Sequence, residues 1–241
     1  MAARAILGAR SLSAFTGAGI SVESGIPPFR GKEGLWSRYD PRVLDIEYFN
    51  ANPEECWPVI REIFYDFFGK AQPNRAHLLL AELEHGGFLK HLITQNIDDL
   101  HYRAGSRNVI EFHGNSRRLL CRACGRRYEV AEVDLRQLPP RCGCGSILKP
   151  DFVFFGEGIP RDAFARSEEC AATTDVMLLI GTTGEVYPAA QIPQTAAARG
   201  ALIIEINPER SAYTDRTTGL FLPLGAVEAL SRIDDLLREE R

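Results

Sequence analysis

SAFTGAGIS, residues 13–21, is the stretch that decides the fold. The apolar run begins at Leu12 and stops at Gly17-Ala18-Gly19, which is typical of a buried strand followed by a glycine turn. Such a turn can bind a pyrophosphate, because its backbone amides and the following helix N-terminus come close to the ligand. A plain tight turn is the alternative. A dehydrogenase fingerprint needs a third glycine where this chain has Val22, so the pattern disfavours a hydride-transferring enzyme.

Four further apolar runs alternate with longer helical patterns, which indicates a parallel sheet covered by helices. The predicted strands are residues 12–16, 91–94, 109–112, 176–180 and 202–206. Each run ends in a turn or a polar cluster, and ligands of open parallel sheets bind outside the carboxyl ends of the strands. The sequence therefore predicts an α/β fold with a Rossmann-like, doubly wound parallel sheet and a ligand site at the strand ends.

Two stretches interrupt the alternation and predict a smaller module inserted beside the sheet. Residues 34–73 are rich in aromatics and prolines with a helical patch at 57–68, and residues 115–149 contain most of the cysteines. We interpret residues 1–34, 76–114 and 150–241 as a discontinuous nucleotide-binding domain. The small module then consists of a helical insertion, 35–75, and a zinc-ribbon segment, 115–149. Apolar positions at helical spacing over 226–237 predict a closing helix.

The composition is that of an ordinary globular protein. The 241 residues are 45% hydrophobic, and 28 Lys and Arg against 32 Asp and Glu give a net charge of −4. This balance disfavours a general nucleic-acid binder, which would show a basic face. The apolar runs are far shorter than the roughly 20 residues of a membrane span, and the first residues lack a secretory signal. We expect a cytoplasmic protein without a membrane partner, and a monomer by default.

Four of the six cysteines lie close together and predict a metal site. Cys121-Arg122-Ala123-Cys124 is followed, after 17 intervening residues, by Cys142-Gly143-Cys144. Two thiolate pairs at this separation suit a tetrahedral structural Zn²⁺ and leave no position for a catalytic water. The second pair is one residue shorter than usual, so either its turn is tighter or Gly143 supplies unusual backbone angles. Unrelated free thiols, or a ribbon that binds protein or nucleic acid, are the alternatives; Cys56 and Cys170 are predicted to be buried and structural.

Polar side chains follow two of the predicted strands. Gln95, Asn96 and Asp98 come directly after one strand; the amides suit sugar hydroxyls, and the carboxylate can accept from a carboxamide. A helix cap is the alternative for Asn96 and Asp98. His113 ends the next strand, and an imidazole is the side chain best suited to take a proton near neutral pH. A structural role is the alternative for His113, and it is the interpretation given to His77, His85 and His91.

The ordered set of motifs resembles the sirtuin family of NAD-dependent protein deacylases. The matching strings are GAGIS (17–21), GIPPFRG (25–31), TQNIDDLH (94–101), HGN (113–115), the four cysteines, KPDFVFFGE (149–157), GTTGEVYPAA (181–190) and INPE (206–209). Each string alone is weak, but the set runs through almost the whole chain in one order. The family fold is a nucleotide-binding sheet domain with a small zinc module, and NAD meets an acylated lysine in the cleft between them.

The resemblance implies roles for individual residues. His113 is the implied general base, and Asn96 is the second implied catalytic residue. The implied NAD-binding residues are Gly17, Ala18, Gly19, Phe29, Arg30, Gln95, Asn96, Asp98, Gly181, Thr182, Thr183, Asn207, Glu209 and Ala226. The implied peptide-binding residues, which would clamp the substrate as an added strand, are Val153, Phe154, Phe155, Gly156, Glu157, Glu185, Val186 and Tyr187. The implied zinc ligands are Cys121, Cys124, Cys142 and Cys144.

The implied chemistry consumes NAD. The acyl oxygen of the modified lysine attacks the anomeric carbon as nicotinamide leaves, and His113 then takes a proton from a ribose hydroxyl, so that collapse gives free lysine and O-acyl-ADP-ribose. Relatives that prefer acidic acyl groups carry a tyrosine and an arginine three apart in the helical insertion, where this chain has Ile60 and Ile63. Tyr39 and Arg42 have that spacing but lie too early. We therefore expect a deacetylase that tolerates longer apolar acyl groups.

One local departure and two rival functions complete the prediction. Gly184 stands where many relatives have a larger apolar residue, and we expect it to widen the approach of the acyl-lysine. A sensor that holds NAD or ADP-ribose without turnover is one rival. An ADP-ribosyltransferase, which shares the loss of nicotinamide but transfers the sugar to protein, is the other.

Overall fold

The computed structural model describes residues 1–29 and 34–240. The strands are β1 (Leu12–Thr16), β2 (Leu89–Thr94), β3 (Val109–Glu111), β4 (Gly114–Cys121), β5 (Arg127–Glu129), β6 (Leu148–Phe152), β7 (Val176–Ile180), β8 (Leu202–Ile206) and β9 (Leu220–Leu222). The α-helices are α1 (Ala2–Gly8), α2 (Ile46–Ala51), α3 (Pro53–Ile60), α4 (Arg75–His85), α5 (Leu100–Arg103), α6 (Arg161–Thr173), α7 (Gln191–Ala198) and α8 (Ala226–Glu239). The 3-10 segments are Ala18–Ser24, Leu35–Ser37, Pro41–Leu44, Phe68–Lys70 and Val130–Glu132, and a π-helical segment is Arg61–Phe67.

The main sheet is parallel throughout. Within the described residues it has six strands in the order β3-β2-β1-β7-β8-β9. Five of these strands match the predicted ones, and the closing helix α8 is confirmed. The sixth, β9, was not predicted: it has three residues and continues the sheet beyond β8 by pairing Ile204 with Leu220. A run this short carries no periodic signal, so only its pairing partner defines it as a strand.

Helices cover both faces of this sheet, which confirms the doubly wound fold. Alternate strand residues point to opposite faces. Ala14 of β1 packs in a core with α1, α4 and α8, whereas the adjacent Phe15 packs in a second core with α6 and α7. Because the strands are buried on both sides, they read as continuous apolar runs rather than as alternating patterns.

The two interrupting stretches share a third core. Trp57 of α3 is fully buried and donates its indole N–H to the backbone oxygen of Leu148, 2.9 Å away, in β6. In the described part of the chain, β6 belongs to a small antiparallel sheet of order β5-β4-β6. The helical insertion and the cysteine segment thus pack on each other. The limits of the two domains stay a prediction, and β6 runs across the expected limit at residue 150.

No helix in residues 1–29 and 34–240 is both long and apolar enough to cross a membrane.

Candidate functional site

Register brings the carboxyl ends of the central strands into one row. Thr16 pairs with Thr94 on one side and with Ile180 on the other, and Ile180 pairs with Ile206. The residues that follow these four strand ends therefore lie side by side. We call these residues the strand-end row: Gly17, Gln95, Gly181 and Asn207.

Two glycine turns at this row pack directly on each other. The amide of Gly19 donates to the carbonyl of Gly181 at 2.9 Å, and a Cβ on Gly19 would lie 2.5 Å from the Cα of Gly181. Gly181 itself has a φ of +61°. Any side chain at either position would collide with backbone, so the close approach of the two turns requires glycine at both.

Amide side chains tie this row together. Gln95 donates from Nε2 to Thr182 Oγ1 at 3.0 Å, and Asn207 donates from Nδ2 to the carbonyl of Thr182 at 3.2 Å. Asn96 donates from Nδ2 to the carbonyl of Gly17 at 3.1 Å. The predicted residues from four strands thus form one connected polar surface, rather than separate loops.

Behind this surface lies a buried carboxylate. Asp98 accepts from Ser21 Oγ at 2.7 Å through Oδ2 and from the amide of Leu100 at 3.0 Å through Oδ1. The second contact is with the first residue of α5, so Asp98 supports the start of this helix from the position before the N-cap residue Asp99. Burial raises the pKa of Asp98, and these hydrogen bonds oppose the shift. Each oxygen bonds once here and has two lone pairs, so the carboxyl group can still accept from a ligand.

The imidazole of His113 is fixed in one tautomer. Its Nδ1 lies 3.0 Å from the backbone oxygen of Gln95, and because a carbonyl only accepts, Nδ1 carries the hydrogen. The other nitrogen, Nε2, is then the basic one. Burial lowers the pKa of His113, with the Gln95 carbonyl acting in the opposite direction. The imidazole of His113 is thus oriented, with its basic nitrogen away from the Gln95 carbonyl.

The loop that contains Phe29 is described only in part. The ring of Phe29 packs on that of Trp36, with centroids 5.5 Å apart, and the amide of Trp36 donates to the carbonyl of Phe29. The predicted NAD-binding residue Arg30 lies outside the described residues.

The two predicted peptide-binding loops expose aromatic side chains. Phe155 is 47% exposed and Tyr187 is 62% exposed. Phe154, by contrast, is 1% exposed and packs edge-on against Phe49, at a centroid distance of 5.3 Å. The side chain of Phe154 therefore packs inside the small module and supports the loop from there.

Gly184 does not widen the site as expected. It has a φ of +77°, and a Cβ there would lie 2.6 Å from the ring of Tyr213, which is fully buried. The space beside Gly184 is occupied by Tyr213, whose hydroxyl donates to the carbonyl of Ala190 at 3.1 Å. Sequence reasoning missed Tyr213 because nothing near it in the chain signals this contact.

A buried carboxylate in β8 holds the segment that carries Tyr213. Glu205 is 1% exposed and accepts from the hydroxyls of Ser211, Thr214 and Thr218. The sequence signal that could have indicated it is the recurrence of hydroxyl residues at Ser211, Thr214 and Thr218, three and four positions apart. Of the remaining predicted NAD-binding residues, Glu209 is exposed beyond β8, and Ala226 is buried at the first position of α8.

The four clustered cysteines converge, as the spacing predicts. Their sulfur atoms all lie within 4.8 Å of one another. The pairs Cys121–Cys144 and Cys124–Cys142 have Sγ–Sγ distances of 3.6 Å. Four thiolates about 2.3 Å from a tetrahedral Zn²⁺ would be about 3.8 Å apart, so the donor set fits the ion.

The shortened cysteine pair is accommodated without unusual angles at Gly143. The left-handed glycines are Gly125, with a φ of +75°, and Gly145, with a φ of +89°. Each follows the second cysteine of its pair, so the two turns close in the same way. The short pair is also supported by Tyr128, whose hydroxyl lies 3.1 Å from Cys142 Sγ and accepts from the amide of Gly143.

Comparisons with known proteins agree with this geometry. A model of the Sir2 family matches residues 17–188. An NAD-dependent protein deacylase of Aeropyrum pernix is 46% identical, covering 96% of this chain and 94% of its own length. A solved Sir2 homologue in complex with NAD has a TM-score of 0.92 and 42% identity, covering 99% of this chain and 93% of that one. A Sir2 structure with a deacetylated p53 peptide and 3'-O-acetyl ADP ribose has a TM-score of 0.92 and 36% identity, covering 97% and 96%.

Proposed function

This chain belongs to the Sir2 family, and we propose that it acts as an NAD-dependent protein lysine deacetylase through His113. The reaction consumes NAD and an acyl-lysine peptide, and it yields free lysine, nicotinamide and O-acyl-ADP-ribose. The observation that carries the assignment of the base is the hydrogen bond from His113 Nδ1 to the carbonyl of Gln95. This hydrogen bond fixes the imidazole beside the strand-end residue Gln95 and leaves Nε2 to take a proton.

The strand-end row supplies the groups that would bind NAD. Asn96 uses its amide hydrogens on Gly17 and Ser21, and Gln95 uses one on Thr182, which leaves the side-chain oxygen of each amide to accept from ribose hydroxyls. Asp98 would accept from the nicotinamide carboxamide. When bound, NAD supplies the bond to nicotinamide whose cleavage exposes the anomeric carbon to the acyl oxygen. The first glycine turn would bind the phosphates through its backbone amides.

The base is coupled to the peptide-binding loop. The amide of Val153 donates to the carbonyl of His113 at 2.8 Å, and Gly114 pairs with Phe152. A Cβ on Gly114 would lie 2.4 Å from the backbone oxygen of Asp151. The loop that would hold the acyl peptide is therefore attached directly to the residue that takes the proton, which favours reaction over simple retention of NAD.

The helical insertion supports a preference for uncharged acyl groups. Ile60 and Ile63 are both buried among apolar side chains. Arg42 is paired with Asp40 at 2.7 Å, and Tyr39 donates to Glu62 at 2.9 Å. Tyr39 and Arg42 therefore bind different carboxylates and do not form a joint site for an acidic acyl group. We therefore propose acetyl-lysine as the preferred substrate, with longer apolar acyl groups accepted and acidic ones poor.

The experiment is an incubation with NAD and matched peptides that carry acetyl-, succinyl- or long-chain acyl-lysine, followed by mass spectrometry. We expect the acetyl peptide to be converted faster than the succinyl peptide, with one nicotinamide released per acyl group removed. His113→Ala should abolish deacylation and still bind ADP-ribose, since the strand-end row remains. Faster turnover of the succinyl peptide contradicts the acyl preference. Transfer of ADP-ribose to protein without deacylated peptide supports the transferase instead.

Two broader parts of the proposal concern the assembly and its compartment. We propose a monomer that acts in the cytoplasm, where a reducing environment keeps the four zinc-binding thiols from forming disulfides. Sedimentation equilibrium and fractionation of the source cells test these two statements, and neither alters the assignment of the reaction.

A further inference from the structure

A buried ammonium group lies beneath the predicted peptide-binding loop. Lys149 in β6 is 3% exposed. Its Nζ lies 2.8 Å from Glu157 Oε2, and it donates to the backbone oxygens of Pro150 at 3.0 Å and Phe152 at 2.6 Å. An ammonium group has three hydrogens, and these three acceptors use all of them. The same Nζ lies 4.0 Å from the centre of the Phe154 ring.

These contacts close the base of the turn formed by residues 153–157, which follows β6. Glu157 Oε2 also accepts from the amide of Phe154 at 2.9 Å, and the amide of Glu157 donates to the carbonyl of Phe154. Lys149 and Glu157 thus join the strand before the turn to the residue that ends it. The carboxylate of Glu157 thus bonds within the loop, to Lys149 and to the amide of Phe154.

The turn is anchored to neighbouring segments on both sides. On one side, the amide of Val153 donates to the carbonyl of His113. On the other side, the backbone of Phe155 exchanges hydrogen bonds with Leu44 and Ile46, at 2.8 and 3.0 Å. The shape of the turn therefore fixes which backbone groups face the cleft between these anchors.

Packing alone does not account for a charge at this position. Burying an ion pair is costly, and apolar side chains of similar volume often serve equally well for stability. A methionine has nearly the length of lysine and would fill the same space among Phe152 and Phe154. A methionine would not supply the three contacts that Lys149 Nζ makes with the two carbonyls and the carboxylate. These contacts hold the turn in one conformation.

We propose that Lys149 is a positioning residue for peptide binding, which presents the 153–157 turn to the acyl peptide through its contacts with Glu157 and the Phe152 carbonyl. The inference rests on the proposed function, because it takes this turn as the peptide-binding edge. Lys149 does not touch the strand-end row, so its loss affects the affinity for peptide and leaves the affinity for NAD unchanged.

The test compares three variants with the unaltered chain: Lys149→Met, Lys149→Arg and the double variant Lys149→Met/Glu157→Gln. For Lys149→Met we expect the KM for acetyl peptide to rise at least about tenfold, with the KM for NAD and the Kd for ADP-ribose within about twofold. Lys149→Arg keeps the charge and the donors, and it should recover most of the peptide affinity. The double variant removes the unpaired carboxylate, so it should regain thermal stability without regaining peptide affinity.

Arg136→Met is the matched control, because it removes a cation from an exposed pair with Asp134. Its kinetic constants should equal those of the unaltered chain. An unchanged peptide KM in folded Lys149→Met, or an equal rise in both KM values, overturns the proposal. If Lys149→Met does not fold, Glu157→Gln replaces it, and an unchanged peptide KM there overturns the proposal too. Absence of deacetylation by the unaltered chain would instead contradict the proposed function.

Discussion

At the scale of the residue, one hydrogen bond fixes the proton position on His113, the base that we propose for the reaction. The carbonyl of Gln95 assigns the hydrogen to Nδ1, and burial keeps the ring neutral by lowering its pKa below the usual value of 6.5. The position of His113 at the end of a strand could be predicted from sequence. Its tautomer could not, because the partner carbonyl belongs to the neighbouring strand end.

The lowered pKa predicts the pH dependence of deacetylation. The active form is the neutral imidazole, which predominates above the pKa and is lost as the pH falls through it. Since the pKa of the ligand-free protein lies below 6.5, we expect the midpoint of the acid limb of kcat/KM to lie below pH 6.5. A pH profile of kcat/KM for the acetyl peptide at saturating NAD measures this. His85→Asn, which removes an exposed histidine of α4, should leave the acid limb in place. A midpoint above pH 6.5 would contradict the lowered pKa of His113.

At the scale of the element, helix α4 illustrates a local signal combined with a distant contact. Asn74 caps the helix by accepting from the amides of Ala76 and His77, and His77 Nδ1 accepts from the amide of Asn74. His77 is fully buried, and burial lowers its pKa to about 4, so it remains neutral and serves the cap. The structural role predicted for His77 is consistent with this. Asn74 also donates from Nδ2 to the carbonyl of Ile20, 2.8 Å away, just after the first glycine turn.

These contacts predict the effect of replacing Asn74. Asn74→Ala removes both the cap and the bond to Ile20, and we expect it to lower the free energy of unfolding by about 1–2 kcal/mol. Asn74→Ser keeps a capping hydroxyl but does not reach Ile20, so it should recover about half of that loss. Urea denaturation followed by circular dichroism measures both. An equal loss in the two variants would mean that the cap contributes nothing and that the bond to Ile20 carries the whole effect.

At the scale of the whole molecule, two strands join the small module to the region around His113. Strand β4 begins at Gly114, directly after His113, and ends at Cys121, a predicted zinc ligand. Strand β6 pairs with β4 and leads into the 153–157 turn. The four-cysteine site is therefore connected through two strands to His113 and to the proposed peptide-binding loop, although it lies outside the strand-end row.

This connection predicts the consequence of removing zinc. The metal-free chain should lose deacetylation and melt at a temperature lower by about 10 °C or more, because the small module loses its cross-link. It should still bind ADP-ribose, since the large sheet has its own cores. Metal content, thermal melting and ADP-ribose titration before and after chelation measure these effects. Cys124→Ala should behave like the metal-free chain, whereas Cys170→Ala should retain the ion. Full activity without metal would contradict the structural role.

Sequence by itself determined the features that depend on nearest neighbours along the chain. Apolar runs placed five strands of the main sheet, glycines marked the turns, and cysteine spacing identified the donor set of the metal site, since each reflects local conformation or a short loop. Tertiary structure alone decided which distant groups meet. Tyr213 fills the space beside Gly184, Lys149 binds beneath the peptide loop, Phe154 points inward, and β9 becomes a strand only by pairing with β8. Such contacts depend on register and packing between elements far apart in the chain, and no local pattern carries that information.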